Sequence, residues 1–233
     1  MREDIVAIGN VPQRYGILAS VDDPKAPAVV LINSGVVHHA GANRMSVLFA
    51  RALQETGIAS LRFDLCGIGD SPDRTDGIGW EPAAPIEIGE AITAYRLCRP
   101  DGALVLYGNC GGSAKGFWTA LVDDRVDGLF LTNPPPHPTY NGEDDHVPPH
   151  LQDLIALLER GVKVAFVYAE NDIGEVYFSK FLLPHLDEYL KDDRFTVSSV
   201  QKCNHTFASV KSRDAVIETG LGWVKRMFAT KQE

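Results

Sequence analysis

Short, mostly apolar runs alternate with stretches in which apolar residues recur every three or four positions, and this alternation covers most of the chain. The runs predict strands at Ile5–Ile8, Tyr15–Ala19, Ala28–Ile32, Ser60–Phe63, Ala103–Tyr107, Gly128–Leu131, Lys163–Tyr168 and Phe195–Val200. The first two read as an antiparallel pair joined near Pro12. Helical periods lie between the later runs. Met45, Leu48, Phe49, Ala52 and Leu53 share one face of a helix from Asn43 to Thr56, with Gly57 as its stop. Further helices are expected from Pro85 to Cys98, directly after Tyr107, around Leu151, Leu154, Ile155 and Leu158, from Glu175 to Leu190, and around Ile217, Leu221, Val224 and Phe228. Strands that are apolar throughout are buried on both faces, so the pattern implies an α/β fold: a mostly parallel sheet with helices on both sides. No internal repeat or linker interrupts it, and residues 1–233 are expected to form one domain.

Composition removes several function classes. The 233 residues carry a formal net charge of −9, and no basic stripe is present to neutralise phosphates, which excludes nucleic acid as a partner. The first residues lack the basic and apolar regions of a signal peptide, and no apolar run approaches membrane-spanning length. Cys66, Cys98, Cys110 and Cys203 have neither zinc-ligand spacing nor a disulfide pattern, so a reducing, cytoplasmic compartment is expected, with no metal and no cofactor. Cys66, Cys98 and Cys203 read as inert core cysteines.

Cys110 reads differently. It sits in Gly108-Asn-Cys-Gly-Gly112, immediately after a buried strand and before a helix. A strand running into a helix through so tight a turn is strained, and a Cβ at the flanking glycines would strike the neighbouring strand or helix. Two further chemical residues follow at predicted strand ends: Asp172 in Glu170-Asn-Asp-Ile-Gly174, and His205 in Cys203-Asn-His-Thr-Phe207. Chemistry in parallel sheets collects at the carboxyl ends of the strands. Glu170 competes with Asp172 as the acid, and Asp172 also suits the cap of the helix that follows.

The elbow and the order nucleophile, acid, histidine resemble the α/β-hydrolase family over nearly the whole chain, with cysteine where serine is usual. Among its cysteine-nucleophile members, the chain is similar to dienelactone hydrolases in size, in lacking a large cap, and in His205-Thr206-Phe207. Asn33-Ser-Gly-Val-Val-His38 with Gly41 and Arg44, and Arg62-Phe-Asp-Leu-Cys-Gly-Ile-Gly-Asp-Ser71, look more like bacterial hydrolases associated with exosortase and natural-product gene clusters. No acidic residue lies between Asp23 and Glu55, so the glutamate with which dienelactone hydrolases hold their thiol neutral has no counterpart there. Residues 133–150 occupy the place where the family inserts its cap, and are too short for more than a loop lid.

The resemblance implies a Cys110–His205–Asp172 triad acting on an ester or thioester. Backbone N–H groups of Gly111 and of Gly35 or Val36 would hold the oxyanion. His38, His39 and Arg44 are candidates for contact with substrate, whereas Asp64 and the Gly67–Ser71 loop read as structural. His137, His146, His150, Asp144 and Asp145 match no ligand spacing and read as a solvated loop. The partner implied is a small acyl substrate, carriers such as CoA or an acyl carrier protein included. Hydrolysis, acyl transfer to an amine or hydroxyl, and ligand binding without turnover all remain open at this point.

Overall fold

The computed structural model describes residues 2–99, 101–138, 149–191 and 193–228. Among these residues eight strands form one sheet: β1 (Glu3–Ile8), β2 (Arg14–Ala19), β3 (Ala28–Leu31), β4 (Ala59–Phe63), β5 (Leu104–Asn109), β6 (Gly128–Thr132), β7 (Lys163–Ala169) and β8 (Phe195–Val200). Their order is β1-β2-β4-β3-β5-β6-β7-β8. The β1–β2 and β2–β4 pairs are antiparallel and the rest are parallel. The register lines up Leu18, Leu61, Val30, Leu106, Leu129 and Val164 as one apolar row across six strands.

Among the described residues seven α-helices cover the sheet: α1 (Met45–Glu55), α2 (Trp80–Cys98), α3 (Gly111–Val122), α4 (Pro149–Glu159), α5 (Ile173–Phe181), α6 (Asp187–Leu190) and α7 (Val210–Phe228). Helices α2 to α5 pack Ile88, Ile92, Phe117, Leu154 and Phe178 against that apolar row. On the opposite face α1 and α7 pack Phe49, Leu53, Val216 and Trp223 against Val29, Tyr107 and Phe130. Burying each such side chain stabilises the fold by about 1.5–3 kcal/mol. Side chains alternate between faces along each strand, so strands covered on both sides read as unbroken apolar runs.

Three helices depart from the pattern-based expectation. The helix expected from Asn43 starts only at Met45, because Asn43 and Arg44 take positive φ angles of 54° and 60°. Helix α2 begins at Trp80 rather than Pro85. Its first bond, Ala83 N–H to Gly79 O at 3.0 Å, precedes Pro85. Pro82 falls in the first turn, where a backbone donor is not needed. The helix expected over 175–190 is broken: α5 stops at Phe181, a 3₁₀ turn holds Pro184, and α6 is short. Proline removes the donor and clashes with the preceding turn.

Candidate active site

The carboxyl ends of β3 to β8 face one rim of the sheet, and Cys110 stands at its middle. Cys110 links β5 to α3 with φ 53° and ψ −122°, a conformation that costs an L-residue about 1–3 kcal/mol. Its N–H donates to Thr132 O and its carbonyl accepts from Ser113 N–H, each at 2.9 Å. A Cβ on Gly108 would lie 2.2 Å from Gly112 O, and one on Gly112 would lie 2.7 Å from Asn33 O. Both positions therefore exclude any side chain.

His205 Nδ1 lies 2.5 Å from Asp172 Oδ2. The second carboxylate oxygen, Oδ1, accepts from Gly174 N–H at 3.0 Å and caps α5. One aspartate thus fixes the helix start and meets the histidine. Glu170 points elsewhere, accepting from Lys202 N–H at 3.0 Å. With Nδ1 engaged, Nε2 is the nitrogen left for Cys110. The interaction with His205 holds the Cys110 thiol below its ordinary pKa, against the opposing effect of burial. It also raises the His205 imidazolium to about 9, with Asp172 adding to it and desolvation opposing. The two shifts together favour a thiolate–imidazolium pair.

Beside the elbow runs the loop after β3. A Cβ on Gly111 would lie 3.5 Å from Gly35 N. Among the described residues the N–H groups of Gly35 and Val36 find no protein acceptor. Buried Asn33 holds this loop, donating to Val37 O (2.9 Å) and Asp64 Oδ1 (2.7 Å) while accepting from Leu65 N–H (2.8 Å). Asp64 also accepts from His39 N–H (2.6 Å) and pairs with His39 Nδ1 (2.7 Å). Burial alone would raise its pKa, but the His39 and Asn33 bonds outweigh burial and lower it. His38 Nε2 lies 3.1 Å from Asp70 Oδ2. Among the described residues this is the one group of His, Cys, Asp or Glu side chains whose candidate ligand atoms converge, all within 4.8 Å, and hydrogen bonds account for its arrangement.

A cavity of about 290 Å³ opens at Gly111 and runs between α3, α4 and α5, with walls that include Trp118, Leu131, Phe166 and Phe178. His38, His39 and Arg44 do not reach its wall, and Arg44 is exposed. Asp144, Asp145 and His146 lie outside the described residues. The expectation of a solvated loop fails for His150. It stands in the first turn of α4, stacked between His137 (5.3 Å) and Tyr177 (5.5 Å), and burial lowers its pKa to about 4.

Two buried residues escaped the sequence reading. Asn133, at φ 44°, donates to His205 O (2.7 Å) and accepts from Ala169 N–H (2.6 Å), so it ties the histidine loop to β6 and β7. Lys115, on α3 in the cavity wall, is only 2% exposed. Its signal was present: it is the one charged residue in Gly111–Val122. Cys98 is exposed at the end of α2, not in the core, because none of the described residues covers it there. Cys66 is buried with its thiol pushed up to about 11 by desolvation and by Glu87. Cys203 is half-buried, donating to Val200 O at 3.0 Å.

No protein-family model and no curated protein matches this sequence. Solved structures match nearly the whole chain. The α/β hydrolase GrgF from Penicillium sp. sh18 superimposes with a TM-score of 0.69 at 16% identity, over 99% of this chain and 100% of that one. A dienelactone hydrolase from Anabaena variabilis gives 0.68 at 13% identity, covering 97% and 98%. A predicted CIB-like hydrolase from Thermoplasma acidophilum gives 0.70 at 14%, covering 97% and 100%. The chain has the α/β-hydrolase fold, with no large cap domain among the described residues. No helix among them is long and apolar enough to cross a membrane.

Proposed function

We propose that this protein is a hydrolase that cleaves acyl esters or thioesters through a covalent acyl-cysteine intermediate, with residues 1–233 as one working domain. The observation that carries the reading is the strained Cys110 elbow, its thiol lowered by His205, whose Nδ1 meets Asp172. The fold's occurrence in proteins named as hydrolases supports the same class. In the first half-reaction the Cys110 thiolate attacks the acyl carbon, forming the C–S bond and moving the carbonyl pair onto oxygen. The N–H groups of Gly111 and of Gly35 or Val36 receive that oxyanion. Its collapse expels the leaving thiolate or alkoxide, which takes the proton from the His205 imidazolium. In the second half the neutral imidazole takes a proton from water as the oxygen attacks the thioester. Cys110 leaves as thiolate, the acid is released, and the ion pair is restored. Asp172 holds the His205 tautomer throughout. The apolar cavity receives the acyl chain, and a substrate borne on CoA or an acyl carrier protein fits this chemistry without a cofactor.

Acid-quenching a reaction with a short acyl thioester and mapping the adduct by mass spectrometry tests the reading. An acyl group on the Cys110 peptide and a loss of roughly a thousandfold or more in turnover for Cys110→Ala are expected. Full turnover by Cys110→Ala sinks it.

A further inference from the structure

Lys115 is the one buried ammonium at the candidate site, and nothing in the mechanism above uses it. Its side chain is enclosed, yet among the described residues it forms no ion pair. The negative groups that act on it are the Cys110 thiolate first and then Glu87, which is already taken by Arg74 at 3.0 Å and Arg14 at 3.5 Å. Of its three N–H donors, one reaches an acceptor, Gly35 O at a long 3.3 Å. The face of the Trp80 indole lies 4.0 Å from Nζ and supplies the remaining attraction. Trp80 itself is half exposed and borders both the cavity and a more open groove beside Val36 and Arg74. A buried charge without a counterion is costly, and the ammonium responds as expected, with burial lowering its pKa to about 8. An anion delivered to Nζ would relieve that cost.

The location says where on a substrate such an anion would be. Lys115 and Gly111 both line the cavity, one helical turn apart on the same face of α3. In the proposed mechanism Gly111 N–H meets the oxyanion, and Lys115 Nζ reaches back to Gly35 O in the loop beside it, so an anion held on Nζ lies a short way from the acyl carbon. Most of the remaining wall is apolar; among the described residues Glu81 is its one carboxylate, and Ser113, His137, His150, Tyr168 and Tyr177 are its other polar side chains. We propose that Lys115 binds a carboxylate on the acyl group itself, making this a site for short dicarboxylic acyl donors of succinyl or glutaryl length. The proposal rests on the reading of the cavity as an acyl pocket. A carboxylate displacing the indole face from Nζ gains a charge-assisted bond in a dry setting, stronger than the cation–π contact it replaces.

N-acetylcysteamine thioesters test it, because the carrier is neutral and only the acyl charge varies. In Cys110→Ala, calorimetry should show glutaryl thioester binding at least ~10-fold tighter than its uncharged counterpart, pentanoyl thioester. The 5-aminopentanoyl thioester should bind more weakly than pentanoyl. Adding Lys115→Met, checked for folding by circular dichroism, should bring the glutaryl-to-pentanoyl ratio near one. Equal affinities in Cys110→Ala, a ratio unmoved by Lys115→Met, or no glutaryl binding at millimolar concentration overturns the proposal. Should Lys115→Met not fold, the glutaryl, pentanoyl and aminopentanoyl order in the Lys115-containing protein decides alone. Selective binding in Cys110→Ala with no turnover of any thioester by the unsubstituted protein would sink the hydrolase reading and leave the anion site standing.

Discussion

At Cys110 and His205 the two pKa shifts run in opposite directions, and both lengthen the pH range over which the ion pair exists. The thiol is lowered, so thiolate persists below the ordinary thiol value of about 8.5. The imidazolium is raised to about 9, so the proton for the leaving group is lost only on the alkaline side. The expected kcat/KM profile is therefore a bell whose acidic limb lies below the ordinary thiol range and whose alkaline limb falls near pH 9. His205→Ala should return the pH dependence of Cys110 alkylation to that of a free thiol; an unchanged profile in the variant would disconnect the pair. Asn133 is a positioning residue in this scheme. Asn133→Ala leaves the Ala169 N–H and the His205 carbonyl without their partner, so a loss of about 2–4 kcal/mol in stability is expected. It should also lower kcat more than it raises KM. Cys110, Asp172 and His205 were legible in the sequence because each stands in a local motif at a strand end. Asn133 was not, since an asparagine becomes buried only through the tertiary contacts around it; for Lys115 the one local sign was its place as the sole charge in Gly111–Val122.

The elements around the site depend on close backbone approach and on one buried charge cluster. At the elbow the prediction is steric: Gly112→Ala must move Asn33 O, and with it the loop that carries Gly35, so soluble protein with sharply reduced Cys110 reactivity is expected. Helix α2 is tied to β2 through Glu87, which pairs with Arg14 and Arg74 and accepts from Cys66 N–H at 2.8 Å. With that charge removed Arg14 keeps Glu90 and Arg74 keeps Asp76, so Glu87→Gln should cost about 1–3 kcal/mol in urea unfolding. A change below about 0.5 kcal/mol would show the cluster to be neutral to folding. Strand positions followed from apolar runs because both sheet faces are covered. Helix ends were less legible. Pro85 reads as a helix start, yet the helix extends back through Pro82 to Trp80, and this extra turn brings the indole over Lys115. Pro184, by contrast, does break its helix, and the periodicity of the surrounding leucines concealed that.

For the whole molecule, the two hydrophobic cores share the strands of one continuous sheet. Val30 and Leu106 face one core while Val29 and Val105 face the other, so neither core can be exposed without disrupting the strands that build the second. Unfolding is therefore expected as one transition, with calorimetric and van't Hoff enthalpies equal. Two resolved transitions would divide the domain. Cooperativity makes a single buried group visible in the global midpoint, and His150 is the one to follow. Its folded pKa, about 4, lies below the unfolded value near 6.5, so the folded state binds fewer protons between them. The contribution of neutral His150 is complete above pH 6.5 and is lost as pH falls toward 4, by up to about 3 kcal/mol. Carboxylates titrate in the same acid range, so the informative quantity is the difference between proteins. The stability of His150→Phe relative to the unsubstituted protein should rise steadily as pH is lowered from 6.5 to 4. A difference that stays flat over that interval would mean that His150 takes up its proton in the folded state as readily as in the unfolded chain, and that the α4–α5 wall of the cavity is wetter than its packing implies.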